Sequence, residues 1–250
     1  MNNYAETLKS VLKLDTEPVA VKLLKNRNEW KGSLVKIKTN LCQMVSMARY
    51  QSTTTAQDAQ GMVCVLGACC LGLIKTPDRF TSGEAVVGKY TKDASAGKKF
   101  IENTYMLGNK GKQFNLVVIG PLKDINDPDI VVLYANPAQM LPLIHANTYE
   151  TGEKITADTV AEAALCASLG YSFGEQAPAI GFPCAGDRRF GGTQHHELLF
   201  TIAGSKFPKL MDNLILRHQS NPYLFPVPPS MQWVPMMPPA YTINDDDLVD

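Results

Sequence analysis

At 250 residues the chain is long enough for one large domain or two small ones with a substantial core. Apolar residues make up 45% of it, and 24 basic residues balance 24 acidic ones, which argues against disorder away from the ends and leaves no basic excess for nucleic acid or an acidic membrane surface. The amino terminus, Met1 to Glu6, lacks a basic stretch followed by an apolar one, and no apolar run approaches the ~18 residues that a membrane span needs. A cytoplasmic protein with no membrane segment and no nucleic-acid partner is expected.

Tyr4, Leu8, Val11 and Leu12 fall at helical spacing, so an amphipathic helix opens the chain over residues 2–13. Residues 19–24 follow Pro18 and read as a buried strand, and the polar segment around Trp30 reads as loop. Residues 41–49 predict a short helix with Cys42 at its start, and 64–74 a buried, glycine-interrupted helix. Thr81-Ser82-Gly83 is turn-like, and a helix is expected from Asp93, its capping residue, to Tyr105. Residues 114–119 and 130–134 are strands; Asn136-Pro137 then supplies a capping side chain and a first-turn proline for another helix. Further helices are expected over 160–169 and 205–217, the latter capped by Ser205, and strands over 179–182 and 198–203. Interspersed strands and helices predict a single mixed α/β (α+β) domain over residues 1–220.

Residues 221–250 differ in kind. Their prolines enforce extended chain, and Tyr223, Phe225, Met231, Trp233, Met236, Met237 and Tyr241 are too many large apolar groups for a free tail. A Pro-rich arm packed on the domain or on a neighbouring subunit is expected, with only the acidic Asp245-Asp246-Asp247 end loose. The arm suggests a homo-oligomer, a homodimer being the simplest form.

Six cysteines in a reducing compartment argue against a disulfide framework. Four of them follow the pattern Cys42-x21-Cys64-x101-Cys166-x17-Cys184, which matches no compact metal-ligand motif. Their contexts say more. Cys42 and Cys64 open helices, where the macrodipole favours a thiolate or an anionic cluster. Cys184 follows an apolar run in the stretch Phe182 to Gln194, whose Gly186, Gly191 and Gly192 read as a loop whose backbone amides approach a ligand closely. Asp187, Arg188 and Arg189 either clamp a carboxylate or phosphate or pin that loop through internal ion pairs. Cys166, on an alanine-rich helix, is equally readable as plain core. His195 and His196 open a strand and diverge across it, so they are not paired as metal ligands. Met44, Met47, Met236 and Met237 read as packing, and no Walker loop, dinucleotide fingerprint or serine elbow is present.

Several segments together resemble the ArCR family, domain of unknown function 169. They are Glu17-Pro18-Val19-Ala20-Val21, Cys64-x-x-Gly67-Ala68-x-x-Leu71-Gly72-Leu73, Arg79-Phe80-x-Ser82-Gly83, Asn136-Pro137-Ala138-Gln139 and Pro183-Cys184-x-Gly186-Asp187-Arg188-Arg189. The likeness runs from about residue 15 to 235, and the last motif is the most specific. It implies a cytoplasmic prokaryotic protein, and it implies that cysteines at the positions of Cys42, Cys64, Cys166 and Cys184 belong to the pattern, whereas Cys69 and Cys70 do not.

The expectation is therefore a redox protein whose Cys42, Cys64, Cys166 and Cys184 hold an iron–sulfur cluster of the four-iron type, with zinc the weaker alternative. Gly186, Asp187, Arg188, Arg189, Gly191 and Gly192 would line the cofactor or a small anionic ligand beside it, and a redox partner protein is implied. Two other classes stay open: a thiol enzyme with Cys184 as nucleophile, and a non-catalytic module that binds a small anion.

Overall fold

The computed structural model describes residues 2–157, 159, 162–223 and 239–248. In chain order its elements are α1 (Asn2–Leu12), β1 (Val19–Leu24), α2 (Leu41–Gln51), β2 (Thr55–Gln57), α3 (Val65–Cys70), α4 (Asp78–Thr81), α5 (Ala94–Asn103), β3 (Leu116–Pro121), β4 (Ile130–Ala135), α6 (Pro137–Thr148), α7 (Ala164–Glu175), β5 (Ala179–Gly181), α8 (Ala185–Gly191), β6 (Leu198–Ala203) and α9 (Phe207–Ser220). The strands form one sheet in the order β2-β3-β1-β4-β6-β5, every neighbouring pair antiparallel.

The apolar runs that mark the strands have a common cause. Both faces of the sheet are covered, so neither side of a strand is left to water. On one face Val19, Val21, Val117, Ile119, Ile130, Val132 and Leu199 pack under α2, α3 and α7. On the other, Ala20, Leu116, Val118, Val131, Leu133, Phe200 and Ile202 pack under α1, α6 and α9. The result is a three-layer, mixed α/β single domain, as the alternation of elements predicts. Register is held where a slip would turn each strand's two sets of side chains over: Val21 faces Ile119 on β3, and Val19 faces Val132 on β4.

Helix starts follow their caps. Asp93 accepts from Ala96 N (2.8 Å), and Asn136 and Gln139 form a reciprocal capping box (2.9 and 2.8 Å). Several boundaries differ from the sequence expectation, among them the strand expected over 114–119, which spans Leu116–Pro121. The helix expected over 64–74 ends at Cys70, and Gly72 then takes positive φ (+65°), reversing the chain. The helix expected over 160–169 instead spans Ala164–Glu175; of its expected start, residues 160 and 161 lie outside the described residues. Ser205 does not cap α9, because a cap there would put Pro208, which has no N–H, where the cap needs a donor; Ser205 Oγ donates to Gln176 Oε1 instead (2.7 Å).

The expected Pro-rich arm falls mostly at residues 224–238, which lie outside the described residues. At its start, Tyr223 packs against the α1–α6–α9 core and lies 3.1 Å from His145 Nδ1. The acidic end forms a short 3-10 turn, Asp245–Leu248. Among the described residues no helix is long and apolar enough to cross a membrane.

Phe200, fully buried in β6 against the α1–α6–α9 face, tests this layering. Phe200→Ala should lower the unfolding free energy by about 3–5 kcal/mol, whereas Asn136→Ala, which removes one cap, should cost about 1 kcal/mol; denaturant unfolding of the two variants checks the ranking.

Candidate functional site

The four cysteines singled out in the sequence come from four separate elements and line one cavity of about 510 Å³. Each stands at the start of a helix. Cys42 lies in the first turn of α2, whose cap Asn40 forms a reciprocal box with Gln43 (2.8 and 3.0 Å). Cys64 is the N-cap of α3, Cys166 lies in the first turn of α7, and Cys184 is the N-cap of α8. Two glycines let these starts approach one another. A methyl on Gly67 would stand 3.2 Å from Leu41 Cδ1 and 3.5 Å from Cys166 Sγ. One on Gly186 would stand 3.1 Å from Glu162 Oε1 and 3.8 Å from Cys184 Sγ. Ala163, on the cavity wall, holds a left-handed backbone (φ +62°) just before α7, a strained conformation for a residue with a β-carbon.

The segment after Cys184 is helix rather than the glycine-rich loop expected. Residues 185–191 form α8, and only Gly192 takes positive φ (+68°), as its C-cap. The amides that face sulfur are therefore those of helix starts. Backbone N–H groups of Asp187 and Ala164 donate to Cys184 Sγ, and those of Gly67 and Leu66 donate to Cys64 Sγ.

Cys42, Cys166 and Cys184 are buried and Cys64 is half-buried; none of the six cysteines is in a disulfide. Burial pushes the Cys184 thiol up to about 11 against the pull of its backbone donors, and burial likewise raises Cys64. Hydrogen bonding to Cys42, followed by burial, holds Cys166 well above the usual thiol range. As free thiols these three are protonated at neutral pH, and a bound cation would have to take the proton's place. Cys69 and Cys70 are fully buried core residues and do not line the cavity. Among the described residues, no group of three or more His, Cys, Asp or Glu side chains is arranged to hold a metal ion.

The six residues expected to line a cofactor separate into two sets. Gly186 and Arg189 line the cavity; Asp187, Arg188, Gly191 and Gly192 do not. Asp187 makes no ion pair with either arginine. It turns inward, fully buried, and accepts from Tyr134 Oη (2.8 Å), while Arg188 Nη1 donates to the Gln194 carbonyl (3.2 Å). Gly191 is packed so that a β-carbon would overlap Asp187 Oδ1 and stand 3.5 Å from Cys42 Cβ. His195 and His196 sit in an exposed turn, since β6 begins only at Leu198.

Several residues of the region carry no local sequence signal. Glu162, on the cavity wall, accepts from Gly186 N (3.1 Å), and Tyr90 and Lys38 complete the rim. Beneath the site lies a buried charge network. Arg49 of α2 pairs through Nη2 with Glu197, donates from Nε to Thr16 Oγ1 (3.2 Å) and covers the Tyr134 ring at 3.6 Å. Glu197 Oε2 also accepts from Gln194 N (2.7 Å).

Glu197→Ala strands the Arg49 charge in the interior and should cost about 3–5 kcal/mol in denaturant unfolding. Burial raises the Asp187 carboxyl from its ordinary 3.8 to about 6, against the pull of Tyr134 and Arg49. The folded state therefore holds this proton more tightly than the unfolded chain, and Asp187's contribution, at most about 2–3 kcal/mol, is complete below pH 4 and lost as pH rises through 6. Relative to Asp187→Asn, the unmodified protein should lose stability between pH 4 and 7; a pH-independent difference in unfolding free energy would contradict the assignment.

Comparison with known proteins agrees with the motifs. The chain is 25% identical to an uncharacterised protein of Methanocaldococcus jannaschii over 215 residues, which cover 83% of this chain and 91% of that protein. No solved structure matches it. The family model described as uncharacterised ArCR, domain of unknown function 169, matches residues 7–213, so the chain belongs to the ArCR family.

Proposed function

We propose that the protein is a cytoplasmic redox protein that holds an iron–sulfur cluster on Cys42, Cys64, Cys166 and Cys184. One observation carries this reading: four cysteines far apart in sequence, each at the start of a different helix, line a single cavity. The donor set fits the group. Four sulfurs spread over a cavity wall suit a cluster in which each thiolate binds its own iron. A lone zinc ion instead needs all four sulfurs at about 2.3 Å from one point.

Bound there, such a cluster would supply one-electron reduction and reoxidation. The chain's own part is to enclose it and set its surroundings. Three of the four sulfur-bearing residues are buried, and Cys64 gives the more exposed edge, which is where a redox partner protein would approach. First-turn N–H groups aimed at Cys184 Sγ and Cys64 Sγ stabilise negative charge on sulfur and thereby influence potential. Six free cysteines are consistent with a reducing compartment. A Cys184 nucleophile is less well supported, because burial raises its thiol where an attacking thiolate needs it lowered.

Anaerobically purified protein should be brown and contain iron and acid-labile sulfide in comparable amounts. Cys42→Ser, Cys64→Ser, Cys166→Ser and Cys184→Ser should each lose most of the colour, while Cys69→Ala and Cys70→Ala should keep it. Folded protein that stays colourless and iron-free after incubation with ferrous iron and sulfide would overturn the proposal.

A further inference from the structure

The cysteine cavity is larger than its sulfurs require, and its mouth differs chemically from its inner wall. A cavity of about 150 Å³ is enough to hold benzene, so about 510 Å³ leaves room for an organic molecule of that size beside a cluster. The mouth carries two cations from different parts of the chain: Lys38, ahead of α2, and Arg189 on α8. Both are exposed, and neither forms an ion pair among the described residues. The one carboxylate on the described wall, Glu162, is buried and accepts the Gly186 N–H.

Beside the two cations stand two aromatic rings, Tyr90 and Phe190, exposed at 41% and 47%. Tyr90 is held by stacking on Phe100, with ring centroids 5.9 Å apart and planes at 21°. Exposed rings next to cations that are unpaired among the described residues, at the opening of a cavity of this size, form an amphiphilic surface. It offers charge-assisted hydrogen bonds to an anionic head and apolar area to a flat body. A small inorganic anion would use only the first of these.

We infer that the mouth of the cysteine cavity binds a planar aromatic carboxylate, its carboxylate between Arg189 and Lys38 and its ring against Tyr90 and Phe190. This deepens the proposed function by naming the class of small anion at the same site. It rests on the cluster reading for placing that molecule beside an electron source, but the binding itself does not require the cluster.

The test is calorimetric titration of the anaerobically purified protein with benzoate, using benzyl alcohol and inorganic phosphate as comparators. Benzoate should bind more tightly than either. Arg189→Ala should weaken it about tenfold or more, the loss of one charge-assisted contact, and Lys38→Ala and Phe190→Ala should also weaken it. Arg27→Ala, which removes an exposed arginine outside the cavity, should change nothing. No benzoate binding at millimolar concentration, binding unchanged in the Arg189→Ala, Lys38→Ala double variant, or phosphate binding as tightly as benzoate would each overturn the inference. The two readings fail separately: colourless protein with Arg189-dependent benzoate binding retains this site and removes the cluster, and brown protein without benzoate binding does the reverse.

Discussion

Arg49 places a permanent positive charge almost out of reach of water, and the interior can accept it only with its partners in place. Those partners come from segments that do not adjoin in sequence: Thr16 before β1, Tyr134 near the end of β4 and Glu197 just ahead of β6. Through Tyr134 the network reaches Asp187 on α8. The same α2 that carries Arg49 begins with Cys42, and the same α8 that carries Asp187 begins with Cys184. One desolvated guanidinium thus ties together the helices whose starts form half of the cysteine cavity. Small residues complete the close packing, as at Gly191, where any β-carbon would collide with Asp187.

A dispersed cysteine set becomes a site only on a fold that turns several helix starts toward one place. Here the helices packed on the α2–α3–α7 face of the sheet do that, and α8 joins them through its contact with α2. Buried thiols on their own are poor thiolates, as the raised values at Cys64, Cys166 and Cys184 show. The same burial, combined with N–H groups directed at sulfur, suits an anionic cluster that has displaced the protons. The outer rim adds Lys38 and Arg189, two positive charges facing the same space.

The strands were legible because the sheet is covered on both faces, leaving continuous apolar runs such as Ile130 to Ala135. The caps at Asp93 and Asn136 are legible because a capping side chain stands just ahead of each helix, and the Asn-x-x-Gln pattern at Asn40 makes the same box as that at Asn136. The segment after Cys184 has the glycines of a loop, Gly186, Gly191 and Gly192, yet α8 forms there by burying Asp187 and packing on α2. No local pattern announces the Arg49–Glu197 pair, whose members lie 148 residues apart. In His195-His196-Glu197 the two histidines are exposed, and it is the glutamate, paired with Arg49, that matters to the interior. Likewise Glu162, Tyr90 and Lys38 reach the cavity through tertiary packing that residue spacing does not encode.

If the four sulfurs of the cavity hold iron jointly, iron K-edge X-ray absorption of the anaerobically isolated protein should show iron surrounded by sulfur alone, with a second iron at the short distance of a sulfide-bridged cluster. Protein without iron, or iron with oxygen and nitrogen neighbours and no iron–iron scattering, would contradict joint binding.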